Sequence, residues 1–166
     1  MWADARGSAI TEFALVAPMM IALLLAITMT SITFFAQQGL ETAVESASRQ
    51  IMTGQAQKAG MTPAQFKTAA CQSLPPFMSC ANLMVDARTA TSLDTVDSSA
   101  PTITFDSHGN ISNSWTYSIG SAGSIVVLRL MYVWTLPVGP LGLTLNNISS
   151  TQRMLVATSV AKTEPY

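Results

Sequence analysis

Between Glu12 and Glu41 the chain carries no Asp, Glu, Lys, Arg or His. At a rise of about 1.5 Å per residue, the roughly 24 mainly apolar residues at 13–36 make a helix of about 36 Å, enough to cross a bilayer core of about 30 Å. A cleaved secretory signal would need a shorter apolar core, of about 7–15 residues, and a small-x-small site at its end. Ala26 and Ala36 are the small candidates, but Leu24 and Phe34 stand two positions before them and fit poorly. A run this long without charge is also seldom a buried core helix. An uncleaved membrane span is the best of the three readings. Asp4 and Arg6 offset one another before the run, the α-amino group adds a positive charge, and the first charges beyond it are Glu41 and Glu45. The positive-inside rule then favours a cytoplasmic N-terminus and a C-terminal domain outside.

A length of 166 residues leaves room for this anchor and one modest globular domain. Only 10% of residues are charged, against about 25% in ordinary soluble domains, and the deficit lies in the first forty positions. A net charge of −1 without any Lys/Arg cluster argues against nucleic-acid binding and against docking on an anionic membrane surface through a basic patch. The single histidine, His108, lies beside Asp106 and Ser107 in an expected turn, where sequence neighbours cannot form a catalytic relay. No phosphate-binding glycine loop, H-E-x-x-H or paired-cysteine zinc motif is present. The chain therefore reads as non-enzymatic, with no metal and no cofactor.

Within the span, Pro18 would cost about 3 kcal/mol in a soluble helix, but membrane helices tolerate proline where neighbours re-satisfy the freed carbonyl. Ala14, Pro18, Ala22, Ala26 and Thr30 recur every four positions and form a stripe of small side chains suited to close helix–helix approach in lipid. Such residues are also simply common in membrane helices. Glu12 is the sharper signal, because a carboxylate at the edge of a span is expensive unless paired. A bland alternative places it at headgroup level near a helix N-terminus, where negative charge is mildly favoured.

The company Glu12 keeps is informative. Arg6, Gly7, Glu12, Phe13, Ala14, Leu15, Val16 and Pro18 stand in an R-G-small-x-x-x-E-F-A-L-V-x-P segment ahead of a long apolar run. That pattern resembles the cleavage region of type IV prepilin-like proteins, and most closely the TadE-type minor pseudopilins of tight-adherence (Tad/Flp) type IVb pilus systems. Phe35 to Glu41 and Ala43 are similar to the family's post-membrane helix. Val85-Asp86-Ala87-Arg88-Thr89 and Glu164-Pro165-Tyr166 are weaker matches. The resemblance implies cleavage between Gly7 and Ser8 by a membrane prepilin peptidase, releasing residues 1–7 as a leader. It makes Glu12 and Phe13 the recognition residues. It also implies partners among other pilus subunits, minor pseudopilins and an inner-membrane assembly platform, alongside the lipid bilayer. Localisation would be the bacterial inner membrane, with the domain periplasmic or carried into the extracellular pilus. Cleavage would create a new amine on Ser8. Glu12 could pair with that amine on a neighbouring subunit or, four residues away on one helix, within its own chain.

Beyond the span, Ala36, Leu40, Ala43, Val44, Ala47 and Ile51 fall at helical spacing, so one long helix is expected over 8–54, with residues 13–36 as its transmembrane part. Gly39 would weaken it by about 1 kcal/mol relative to alanine. Gly54 and Gly60 read as stop and linker. An α+β pilin-like domain is expected over 55–166. Thr62-Pro63 opens a short helix carrying Phe66, Ala69, Ala70 and Leu74, stopped by Pro75-Pro76. Cys71 and Cys80 read as a disulfide closing a short loop, since the C-x8-C pair makes a poor zinc site.

From Leu83 the period changes to two, predicting a strand over 83–88, where Leu83, Val85 and Ala87 alternate with Met84, Asp86 and Arg88. A loop follows at 91–100, then short strands at 101–105 and 111–119 around a turn. The strongest strand is expected at 125–136 and a last one at 153–161, completing an antiparallel sheet against the long helix. Arg129 is either solvent-facing or half of a buried pair with Asp86; the first is favoured. The apolar loop 137–142 either covers the core or meets a partner or membrane surface. Two functional classes follow: a pilus-assembly subunit acting through its helix, and an anchored extracytoplasmic binding domain with the helix as a mere tether.

Overall fold

A computed structural model describes residues 6–92, 94, 96, 101–107 and 111–165, with side-chain placement from residue 9 onward. Its dominant element is a single helix, α1, Arg6–Met52. Its 47 residues span about 70 Å at the usual rise. The helix runs unbroken through Pro18. Its first part is exposed on nearly every side, with Ile10, Phe13, Leu15, Met19 and Leu23 all more than 60% accessible. From Thr33 a buried stripe appears and continues through Ala36, Leu40, Ala43, Val44, Ala47, Ser48 and Ile51. Those steps of three and four are one face of a 3.6-residue period. The same helix is thus exposed apolar rod at one end and domain core at the other.

Gly54 ends α1 in the left-handed conformation (φ 72°), and its N–H donates to the Ile51 carbonyl at 3.0 Å. That region favours glycine, which has no Cβ to clash. The linker is more ordered than expected, because residues Gln55–Lys58 form a short helix, α2. The next helix, α3, Pro63–Cys71, begins with a full capping box between Thr62 and Gln65. It ends at Cys71, before the double proline, and the Cys71–Cys80 disulfide then closes the turn with Cα atoms 5.5 Å apart.

Three strands follow: β1, Leu83–Ala90; β2, Ile125–Thr135; and β3, Gln152–Lys162. They form an antiparallel sheet in the order β1-β2-β3. Val126, Leu128, Leu130 and Tyr132 of β2 join Leu40, Ala43, Ile51, Phe66, Leu83 and Leu155 in one core. The fold is α+β, as the change of period implied. The other face of β2 is covered too: Val127, Arg129 and Met131 are all buried. The expectation that Arg129 faces solvent is therefore wrong, for β2 is the central strand and no face of it is open. The alternation expected in β1 is also imperfect, with Asp86 buried and Val85 only half-buried.

The strands expected at 101–105 and 111–119 are not formed. Phe105 pairs with Ile111 as an isolated bridge, and Tyr117 bridges Ala87 in parallel. Beyond the Ser112 N–H to Thr104 carbonyl bond at 2.9 Å, a side chain takes the place of the ladder. Asn113 donates its amide to the Thr102 carbonyl at 2.8 Å and accepts the Thr104 N–H at 2.8 Å. Short polar side chains compete with sheet pairing in just this way. Residues 116–118 instead lie along β1, through Ala87 N–H to Thr116 O and Ser118 N–H to Ala87 O, both at 2.8 Å. They cover an edge that would otherwise be open to strand addition. The expected turn at His108 and parts of the 91–100 loop (residues 93, 95 and 97–100) lie outside the described residues.

Candidate assembly helix and its docking face

The residues singled out for processing and assembly all fall on α1. Gly7 and Ser8 belong to its first turn, so the expected scissile bond and Glu12 share one helical segment, Ser8 and Glu12 standing about one turn apart. Glu12 and Phe13 are exposed, Phe13 at 69%. Of the small-residue stripe, Ala14 and Pro18 are exposed, and Ala22, Ala26 and Thr30 are partly shielded. Ala26 and Thr30 line a shallow hollow with Leu143 of the chain's own domain. The stripe is therefore split: its upper end faces the domain, and its lower end faces outward.

Polar side chains in the upper part of the span are satisfied locally. Thr28, Thr30, Ser31 and Thr33 each donate their hydroxyl to the carbonyl four residues back, at 2.8–2.9 Å. A hydroxyl bonded this way presents no free donor to an apolar surrounding. The hydroxyls therefore do not weaken the membrane reading.

Above them lies the docking face. Gln37 donates its amide to Glu41 Oε1 and to the Val156 carbonyl of β3, both at 3.0 Å. Ser46 meets Ser73, and Ser48 meets Ser159, each at 2.9 Å between hydroxyl oxygens. A Cβ on Gly39 would overlap Pro75 Cγ and stand 2.8 Å from Pro75 Cδ. The glycine that weakens the helix in isolation is the place where the disulfide-closed turn approaches it. At the far end, the Glu164 N–H donates to the Met52 carbonyl at 2.8 Å, satisfying one of the carbonyls a helix end leaves open. The terminal Glu164-Pro165 match thereby acquires a structural role.

The Asp86 segment does different work. Asp86 is 2% exposed; its Oδ1 accepts the Thr116 N–H at 2.9 Å, and Arg88 Nε lies 2.9 Å from Oδ2. Arg129 stands directly opposite Asp86 across the β1–β2 pairing and is 4% exposed. Both side chains of that cross-strand pair are buried, and Asp86 forms an ion pair with Arg88. The carboxylate fastens residues 116–118 to β1, a structural task. Tyr117, in that segment, packs on Phe66 with ring centroids 5.6 Å apart, and burial pushes its phenol above the ordinary range. None of these side-chain clasps was visible in the sequence; only the identity of Gln37, Gly39 and Glu164 within family-like patches hinted at them.

The family comparison falls on the helix. Residues 7–49 match the model described as TadE-like protein, a stretch that covers α1 from its first turn almost to its end. It takes in both the exposed apolar part and the docking face. The chain is TadE-like over that helix, consistent with a TadE-type protein of the Tad/Flp pilus system. The match covers 43 of the 166 residues, and among the described residues one helix is long and apolar enough to be compatible with a single-pass membrane anchor. No curated protein and no solved structure gave a significant match.

Proposed function

We propose that this chain is a non-enzymatic minor pseudopilin: a single-pass membrane subunit, processed after Gly7 by a prepilin peptidase, that acts in assembly or priming of a Flp/Tad pilus for surface adherence. The observation that carries this reading is the division of α1. Residues 13–25 are uncharged and exposed on nearly every side, the part from Thr33 onward is bound into a domain, and the TadE-like stretch runs through both. A helix of that kind has no surface of its own to cover residues 13–25, so lipid or neighbouring helices must do so. The domain sits outside the cytoplasm, where the Cys71–Cys80 disulfide is stable. Its bulk suits a minor or priming subunit rather than a major one, which would resemble little more than the bare helix.

The new Ser8 amine gives Glu12 a cationic partner, on its own chain or on a neighbour, and turns a costly carboxylate into an assembly contact. N-terminal sequencing of the mature membrane protein is the direct test, with Ser8 expected as the first residue. Gly7→Leu should leave the leader attached, and Glu12→Ala should abolish or sharply reduce piliation while the protein still accumulates in the membrane. A persistent leader in the unmodified chain, with normal piliation by Glu12→Ala, would leave the helix a tether for a binding domain.

A further inference from the structure

The connection between β2 and β3 touches α1 lower than a domain merely hung from an anchor would. Gly139 packs so closely on the helix that a Cβ there would stand 3.1 Å from Met29 Sδ. Leu143 borders a hollow with Ala26, Ile27, Thr30 and Ser31. If Glu12 marks one boundary of the hydrocarbon, a core of about 30 Å is used up in about 20 residues, near residue 32. Contacts at 26–31 then lie up to about 9 Å inside the far boundary. The loop is at membrane depth.

Its chemistry fits that depth. No charged residue occurs between Arg129 and Arg153. Leu141, at the apex, is 92% exposed and Val138 is 58% exposed. Prolines at 137 and 140 carry no N–H. The Gly139 N–H donates to the Leu143 carbonyl at 2.8 Å, and the Leu143 N–H to the Pro140 carbonyl at 3.1 Å. An uncharged loop with two prolines and two internally bonded N–H groups is suited to the polar–apolar boundary between headgroups and acyl chains, where the remaining backbone groups still meet water. One turn further along α1, aromatic rings gather: Phe35 stacks on Phe77 at 5.5 Å, and Phe77 meets Trp134 edge-on at 5.9 Å. Aromatic side chains concentrate at that level of a membrane.

We infer that residues 137–143 are a second membrane contact, seated in the bilayer interface on the domain side with Leu141 and Val138 dipping into the acyl region. The occupant of this apolar surface is lipid, because no charged residue separates it from the exposed surface of the anchor, and the Thr30 and Ser31 hydroxyls between them are bonded to helix carbonyls. The inference rests on the membrane-anchor part of the proposed function. It makes the domain a body resting on the membrane rather than one held away from it, and fixes its height relative to Glu12.

The test uses the full chain, disulfide intact, reconstituted in vesicles of phosphatidylcholine and phosphatidylglycerol at a dilution that keeps it monomeric. Spin labels are placed singly by Leu141→Cys, Leu23→Cys and Thr42→Cys, and relaxation by oxygen is compared with relaxation by a water-soluble nickel chelate. Oxygen should dominate at 23, the chelate at 42, and position 141 should show an oxygen-to-chelate ratio several-fold above that of 42. A ratio at 141 equal to that at 42, with 23 still in lipid, overturns the loop inference alone. Shielding of 141 from both reagents would also overturn it, since protein would then cover the loop. A water-like signal at 23 would sink the anchor reading and the inference with it.

Discussion

Gly39→Ala sets two effects of known size against each other. In an isolated helix the change is favourable, by about 0.8–1.0 kcal/mol. In this fold the new Cβ would overlap Pro75 Cγ and lie 2.8 Å from Cδ. The ring has little room to retreat, because it lies in the Cys71–Cys80 loop and the Met78 N–H donates to the Pro75 carbonyl at 2.9 Å. Overpacking of this kind costs about 1–3 kcal/mol, so the net expectation is destabilisation by about 1 kcal/mol once the propensity gain is subtracted. For a chain of this size that lowers Tm by about 2–4 °C. Pro75→Ala removes both offending atoms and leaves only Cβ, 3.7 Å away, at ordinary contact. In that background Gly39→Ala should become stabilising, raising Tm by about 2–4 °C. Near-UV circular dichroism of the full chain in detergent follows the outer domain in all four variants of the cycle. A rise in Tm on Gly39→Ala in both backgrounds would refute the close approach and leave the glycine with no packing role.

Two further outcomes concern the outer domain. Replacing both Cys71 and Cys80 by Ser opens a loop whose ends are nine residues apart in sequence. It should cost about 2–3 kcal/mol on the loop-entropy estimate, read as a lowered denaturant midpoint; an unchanged midpoint would show that the turn holds without its crosslink. Tyr117, whose phenol burial raises above its ordinary range, favours the folded state in its neutral form. That contribution is intact below the unfolded phenol's pKa and is lost as pH rises through the folded value, an alkaline window beginning near pH 10, or about that. Ultraviolet titration should show a late tyrosine phase that Tyr117→Phe abolishes, and ordinary titration of every tyrosine would contradict the burial.

The helix was legible because its signals are local and redundant: absent charge, apolar spacing from Ala36 to Ile51, and a glycine at its end. The capping box at Thr62 and the cysteine pair were legible for the same reason. Strands 101–105 and 111–119 were misread because alternation reports a pattern of polarity and says nothing of which partner takes the backbone groups. Asn113 took them. Arg129 is buried, against expectation, because both faces of β2 are covered, and that depends on packing that no local window contains. Gly39 shows the same limit from the other side: its cost is local, and its reason lies thirty-six residues away at Pro75.

The unbroken run of α1 from Arg6 to Met52 has a mechanical consequence. No break in the helix separates the part that would sit in the membrane from the part packed against the sheet, so a displacement of one along the axis carries the other with it. A stroke of one helical turn, about 5.4 Å, would lift the whole domain by that distance, with Gln37 and the buried stripe above it transmitting the load. One continuous helix thus ties the height of the domain to the position of the apolar segment.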